Sequence, residues 1–333
     1  SYLRGRGTLD LLTEPADAEV EVCRLEARGR RLVPAASVWG GRGPIAGLDL
    51  PIGSYLLTLR ATGRAPVKYP VFIGRDQCWS LTPPGEEAPF PVYLPMEHEL
   101  SPDERYVPAG WTWLGGDPQA PRTLPLTKVW VPGFVIKAAP VSNQDYLGFL
   151  NDLVAQGRRE EADLHAPCWG AVGSQEGQPL FPKRMDGSFD LGPDPQGAPV
   201  PPRHPVTWLR WSSAMAYAQW RQAGTGQPWR LPGDLEREKA ARGVDRRTYP
   251  WGDTFDASWC NMSQSHAGNP RPVDVDQPEG DVSVYGVRGL AGNCVEWCAD
   301  PFREDWPEPV APHEPGLNAD PSVARVLRGG GYT

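Results

Sequence analysis

Short runs rich in β-branched and aromatic residues, alternating with polar ones, fill the chain from about residue 7 to residue 95: TLDLLT, AEVEVCRL, GSYLLTLRA, YPVFI and FPVYLP. Pro/Gly punctuation such as LPIGSY and TPPGEE separates them, and runs of this length and spacing predict a small all-β sandwich. GSYLLTLRATG followed by APVKYPVFIGR reads as a hairpin or adjacent strand pair within it. Met96–Arg105, MEHELSPDER, is polar and predicts a linker. From Tyr106 the pattern changes. RYVPAGWTWLGGD and KVWVPGFVIK predict two strands, and a helix then opens at Ser142, an N-cap with Asp145 three residues on. Tyr146, Phe149, Leu150, Leu153 and Val154 fall at i, i+3, i+4, i+7 and i+8, the stripe of a core-facing helix that Gly157 ends. These aromatics are expected to pack a core and not to hold a ligand.

Residues 166–202 hold much Gly and Pro and little period, which predicts an inserted loop or a short irregular hairpin. Long loops on a compact domain are where specificity usually sits. A second helix is predicted from Ser212 to about Ala223, with Met215, Ala216 and Trp220 on one side and Gly224 at its end, and a third over about Asp234–Arg242. No internal repeat or low-complexity tract is visible. The fold class expected is α+β: a smaller N-terminal sandwich over residues 1–95, a linker over 96–105, and a larger domain over 106–333.

Composition narrows the function. A length of 333 residues favours two domains, and 39 Pro with 37 Gly imply many turns and few long helices. A formal charge of −8 and a pI near 5.3 argue against a protein that grips nucleic acid or an anionic membrane through a basic surface. No run approaches the ~20 apolar residues of a membrane span. The six cysteines, Cys23, Cys78, Cys168, Cys260, Cys294 and Cys298, are scattered, so reduced thiols and a cytoplasmic setting are expected. Cys294 and Cys298 form a C-x3-C pair, yet His266 and His313 stand alone and no second His/Cys pair completes a zinc site, so buried free thiols are the reading. There is no P-loop, nucleophile elbow or kinase signature. The visible residues supply no catalytic machinery.

Two resemblances follow from quoted motifs. GTLDLLTEPADAEVEV with LPIGSYLLTLRATG resembles the PEGA family of small bacterial surface and accessory β domains. HPVTWLRWSSAMAYAQWRQAGTGQPWRLPGDLEREKAARG, then YPWGD, YGVRGLAGNCVEWCAD and RVLRGGGY resemble, in order, the formylglycine-generating-enzyme family over roughly Tyr106–Thr333. That resemblance implies an elaborated C-type-lectin-like fold. Arg237 and Val295 stand where that family usually has Trp. Arg230 can supply a planar fork to Glu236 or Glu238, and Trp251 of YPWGD is expected as a buried wedge.

The resemblance also implies chemistry. Family members often hold calcium at the GNCVEW turn and at a loop resembling CNMS, which carries the ligand positions over to Asn261, Asn293 and Glu296; Asn and carboxylate oxygens suit such a hard cation. Gly289 replaces a side-chain ligand of the family there, leaving few oxygens. In the family, the strand ending in RVLRGGGY runs into two cysteines that bind copper(I) and activate O₂ to oxidise a substrate cysteine to formylglycine, and soft thiolates suit that ion. The first would be expected immediately after Thr333, so copper enters only if such a pair follows. GGGY would leave strands of the domain unmade, and several tens of further residues are expected.

Three functions are expected on these grounds. The first is a non-catalytic module binding a protein or small-molecule ligand, as in the variable proteins of diversity-generating retroelements. The second, compatible with it, is a sensor or accessory region of a bacterial Ser/Thr kinase, where Ser1 in place of Met suits an excised piece. The alternative is a copper-dependent formylglycine-generating oxidase. The binding module ranks first because Arg237, Gly289 and Val295 depart from the enzyme pattern. Its surface is expected around Trp297, Asp300, Arg328 and Tyr332.

Overall fold

The structure, a computed structural model, describes residues 5–120, 123–169, 177–195, 197–265, 271–277, 279–304 and 323–331. β1 (Arg6–Glu14), β2 (Glu19–Arg28), β3 (Arg31–Arg42), β4 (Ile45–Pro51), β5 (Gly53–Arg60) and β6 (Val67–Ile73) follow one another through tight turns. One antiparallel sheet has the order β3-β2-β5-β6; in the other, β1 pairs with β4 and with two short pieces, β7 (Cys78–Trp79) and β8 (Pro91–Tyr93). Side chains alternate across a strand, so Leu9 and Leu11 of one sheet meet Val20, Val22, Leu57 and Leu59 of the other in one core. The expected sandwich is present.

The polar stretch 96–105 is not a free linker. Met96 bridges back to Arg64, Glu97–Glu99 makes one 3₁₀ turn, and β9 (Glu104–Val107) begins inside the stretch. The two strands expected next are four, because Pro108 and Pro132 each remove a ladder donor in mid run. β10 (Gly110–Leu114) pairs with β11 (Thr127–Val131), and β12 (Phe134–Lys137) pairs with β9, both antiparallel.

α1 (Asn143–Ala155) opens with a reciprocal cap: the Ser142 hydroxyl accepts from the Asp145 amide at 3.1 Å, and the Asp145 carboxylate accepts from the Ser142 amide at 3.2 Å. α2 (Arg159–His165) was not expected, since REEADLH shows no apolar stripe; Ala162 and His165 are its buried residues. Region 166–202 takes the hairpin form, β13 (Cys168–Trp169) against β14 (Gln178–Pro179). It is more than a surface loop, because its Leu180, Phe181 and Phe189 complete the core of Tyr146, Phe149, Leu150 and Tyr217.

α3 spans Trp211–Thr225, longer at both ends than predicted. Its stop is Gly226 at φ 70°, the left-handed residue that turns the chain; Gly224 stays inside the helix. α4 (Asp234–Arg242) lies where expected. β15 (Glu296–Pro301) and β16 (Arg325–Arg328) pair antiparallel with Glu296 opposite Arg328 and Trp297 opposite Leu327. A further core joins Ala240 and Ala241 of α4 to Val107, Val287 and Leu290. Tyr106, Ala109 and Trp130 pack against the sandwich core, so the two units share an apolar seam. No helix among the described residues is long and apolar enough to cross a membrane.

Candidate functional site

α4 is the organising element. Its Glu236, Arg237 and Lys239 are all buried, and buried charge is tolerated only when paired or hydrogen-bonded. Arg230 forks onto Glu236 with two bonds of 2.7 Å, the first of its two expected partners, and Glu236 also accepts from the Gly233 amide. Glu238 instead takes Arg242 at 2.6 Å and the Gly115 amide at 2.7 Å. Lys239 Nζ donates to the carbonyls of Pro108, Gly110 and Val131 at 2.7, 3.2 and 3.3 Å, and burial pulls its pKa down to about 7. The helix thereby clasps the ends of β10 and β11.

The GNCVEW turn sits against this helix. Asn293 adopts φ 72°, a left-handed conformation that Asn tolerates better than most residues. Its Oδ1 accepts from Asn261 Nδ2 and from the Val273 amide, both at 2.9 Å, and its own amide donates to the Asn261 carbonyl at 2.7 Å. Glu296 does not join them. Its carboxylate is held by Arg237 at 2.6 and 2.9 Å, and Arg237 also donates to the Leu290 carbonyl. Beneath the turn Asp281, fully buried, accepts from the Leu290, Ala291 and Gly292 amides. Burial outweighs those donors and pushes its carboxyl up to about 6.

These residues do not fit calcium. Asn293 Oδ1 already accepts two N–H groups, the one carboxylate carries a guanidinium, and Asn261 and Glu296 face different partners. Calcium takes six to eight oxygen ligands, backbone carbonyls and waters among them, and the three side chains carried over from the family offer it no unengaged carboxylate. Nor do the cysteines present fit copper: Cys294 and Cys298 are buried, and desolvation pushes both thiols well up, away from the thiolate a soft metal takes. All six cysteines are unpaired thiols, as expected. Among the described residues no group of three or more His, Cys, Asp or Glu is placed to hold a metal ion. His266 and His313 lie outside the described residues.

The predicted binding residues have structural partners. Asp300 accepts from the Asp234 amide at 2.6 Å, and Arg328 forks onto the Asp234 carboxylate at 2.5 and 2.7 Å, so both converge on the first turn of α4. Trp297 Nε1 donates to the Leu209 carbonyl at 3.0 Å while the residue lines a groove. Tyr332 lies outside the described residues. The groove, about 970 Å³, runs beside the turn between β12, the 206–209 segment, the 227–232 segment and β15. Sequence reading did not find its far wall, since β12 and Trp208 are distant in the chain and carry no motif. Asp281 was missed for the same reason.

The α+β architecture, with the quoted motifs placed in order along it, agrees with the elaborated C-type-lectin-like fold that the family resemblance implies. The chain belongs to the FGE-sulfatase family: residues 90–333 match its sulfatase-modifying factor enzyme 1-like domain. The match begins just before β8, a strand that completes the sandwich. A formylglycine-generating enzyme of Thermomonospora curvata is 30% identical over 264 residues, which cover 68% of this chain and 81% of that protein. The serine/threonine-protein kinase Pkn1 of Chlamydia trachomatis is 30% identical over 210 residues, 62% of this chain and 29% of that one. The solved structure of PvdO from Pseudomonas aeruginosa is 21% identical, with TM-score 0.49 over 69% of this chain and 82% of that chain.

Proposed function

We propose that the chain is a non-catalytic module that binds a protein or small-molecule ligand on this family's scaffold. The observation that carries the reading is the closure of the GNCVEW turn, where Asn293 is bonded to Asn261 and Glu296 to Arg237. Its polar groups are engaged in structure. Beside the groove, Val295 of the turn and Leu327 of β16 are exposed, and exposed apolar surface next to a rigid turn suits recognition. The likeness to a Chlamydia kinase supports an accessory setting beside a kinase; the variable-protein setting is the other in which such a module would act.

A second reading, a copper-dependent formylglycine-generating oxidase, is favoured by the Thermomonospora relative. It requires a thiolate pair that the residues up to Thr333 do not supply. The two separate in one experiment. The protein is loaded with Cu(I) and given O₂ and a pool of cysteine-containing peptides, and aldehyde is read with a hydrazide probe. Absence of copper-dependent aldehyde, in protein carrying whatever its gene encodes after Thr333, agrees with a binding module; aldehyde formed in turnover would establish the oxidase.

A further inference from the structure

The outer face of the β10–β11 hairpin carries positive charge that the fold leaves unanswered. Side chains alternate across a strand, so Thr112, Leu114 and Val129 turn inward, where all three are buried, while Trp111, Trp113 and Lys128 share the other face. Trp113 stands opposite Lys128, and Trp111 opposite Trp130. Trp111 is fixed in place: its Nε1 donates to the Thr82 carbonyl at 2.9 Å, and its ring meets that of Trp130 edge to face at 5.7 Å.

The loop after α4 brings a second cation to the same rings. The Thr112 hydroxyl donates to the Gly243 carbonyl at 2.6 Å and Arg242 Nε to the Arg247 carbonyl at 2.6 Å, so the loop is tied down on both sides of Arg246. Of the two arginines that follow Asp245, Arg247 takes the carboxylate, with bonds of 2.7 and 2.6 Å. Arg246 lies instead on Trp113, its guanidinium carbon 3.8 Å from the ring centroid, and Lys128 Nζ lies 5.3 Å from the centroid of Trp111. Among the described residues neither cation has an ion pair. Asp117, the acid that follows β10, accepts from the Gln119 amide at 2.9 Å. Arg246 holds φ 68°, a left-handed conformation that a long side chain adopts at a cost. Burial and then the Arg246 charge lower the pKa of Lys128, so the two like charges feel each other. A chain of net charge −8 thus sets two exposed cations together on indoles with no acid between them.

We propose that this face binds a phosphate monoester, its dianionic group held between Lys128 Nζ and the Arg246 guanidinium and its organic body packed against the open parts of the Trp111 and Trp113 indoles. A guanidinium fork and an ammonium are the donors that phosphate oxygens take. A double charge matches two cations, and an indole suits a planar or apolar body. None of the four residues lines the groove, and the site stands whether the module binds or oxidises.

Isothermal titration of the protein with phenyl phosphate, inorganic phosphate and benzoate is the test. Phenyl phosphate should bind saturably, inorganic phosphate more weakly for want of the ring, and benzoate more weakly than phenyl phosphate for its single charge. Lys128→Gln should weaken phenyl phosphate about tenfold, the usual size for one charge-assisted hydrogen bond. Arg246→Gly removes the guanidinium and relieves the left-handed backbone, so it should keep or raise the melting temperature while weakening binding at least as much. Arg42→Gln, at an exposed arginine that pairs with Glu19 and Asp17, should leave the affinity unchanged. No saturable binding by about 10 mM, an equal loss in all three variants, or an Arg246→Gly protein that melts earlier and binds as before would each overturn the proposal. Benzoate binding as tightly as phenyl phosphate would overturn the assignment to phosphate.

Discussion

Arg237 stands where the motif it belongs to usually carries Trp, and its guanidinium lies 2.6 Å from Glu296 and 3.0 Å from the Leu290 carbonyl. A planar fork fills a flat slot as an indole would, but it needs an anion; here it recruits the carboxylate of the GNCVEW turn. Glu296 thereby carries a guanidinium partner in place of a free carboxylate. Asp281 is the other buried charge under the turn, and its folded pKa of about 6 is above the ordinary 3.8. A carboxyl raised on folding adds stability that is complete below pH 4 and is lost as pH rises through 6. Asp281→Asn removes the titration and one of the acceptors serving three amides. Denaturant melts at pH 4 and pH 6.5 should show wild type ahead by a margin that shrinks on going to the higher pH, by about 2–3 kcal/mol for a shift of this size. A margin that grows with pH would mean that the three amides keep the carboxylate ionised.

The elements differ in what their glycines do. Gly148 is exposed in the middle of α1 with nothing within 4 Å of a would-be Cβ, so Gly148→Ala should raise stability by about 0.5–1 kcal/mol through helix propensity alone. Gly330 follows β16 with the Ala291 carbonyl oxygen 2.4 Å from the same would-be atom, and Gly330→Ala should lower stability by about 1–3 kcal/mol as the β15–β16 pair lifts from the turn. Urea titration of both variants checks the contrast, and equal effects would remove the close approach from the account. α1 was legible because its cap, its stripe and its stop are all local. α2 was not, since REEADLH is held only by what Ala162 and His165 bury beneath it. The same holds for the four short strands: prolines announce a break, but the partner each half takes is set by the sheet.

At the scale of the molecule the sandwich braces the second domain. The β2–β3 hairpin turns at Gly29 and Arg30 in left-handed conformations and places Leu32 so that its amide donates to the Trp251 carbonyl at 2.7 Å. Arg31 lies over the Trp259 ring at 5.5 Å, and two residues on, Asn261 clasps Asn293 of the GNCVEW turn. The expected consequence is one cooperative unfolding unit, with tryptophan fluorescence and far-UV circular dichroism melting together. Arg31→Ala should speed thiol labelling of buried Cys260, next to Trp259, severalfold in native buffer, while labelling of exposed Cys78 stays constant. Two separated melting transitions would show that the sandwich is an appendage.

Local patterns were enough to determine the α+β class, the sandwich, the bounds of α4 and the cap at Ser142, because each rests on residues a few positions apart; they narrowed Arg230 to Glu236 or Glu238, and the structure chose Glu236. The motifs in order were enough for the family. Only the tertiary structure decided what the site residues do: Asp300 and Arg328 brace Asp234, Glu296 answers Arg237, and Asn261 answers Asn293. Those partners lie tens of residues apart, and which oxygen a buried cation reaches depends on how helices and sheets pack, a quantity that no short stretch of sequence contains.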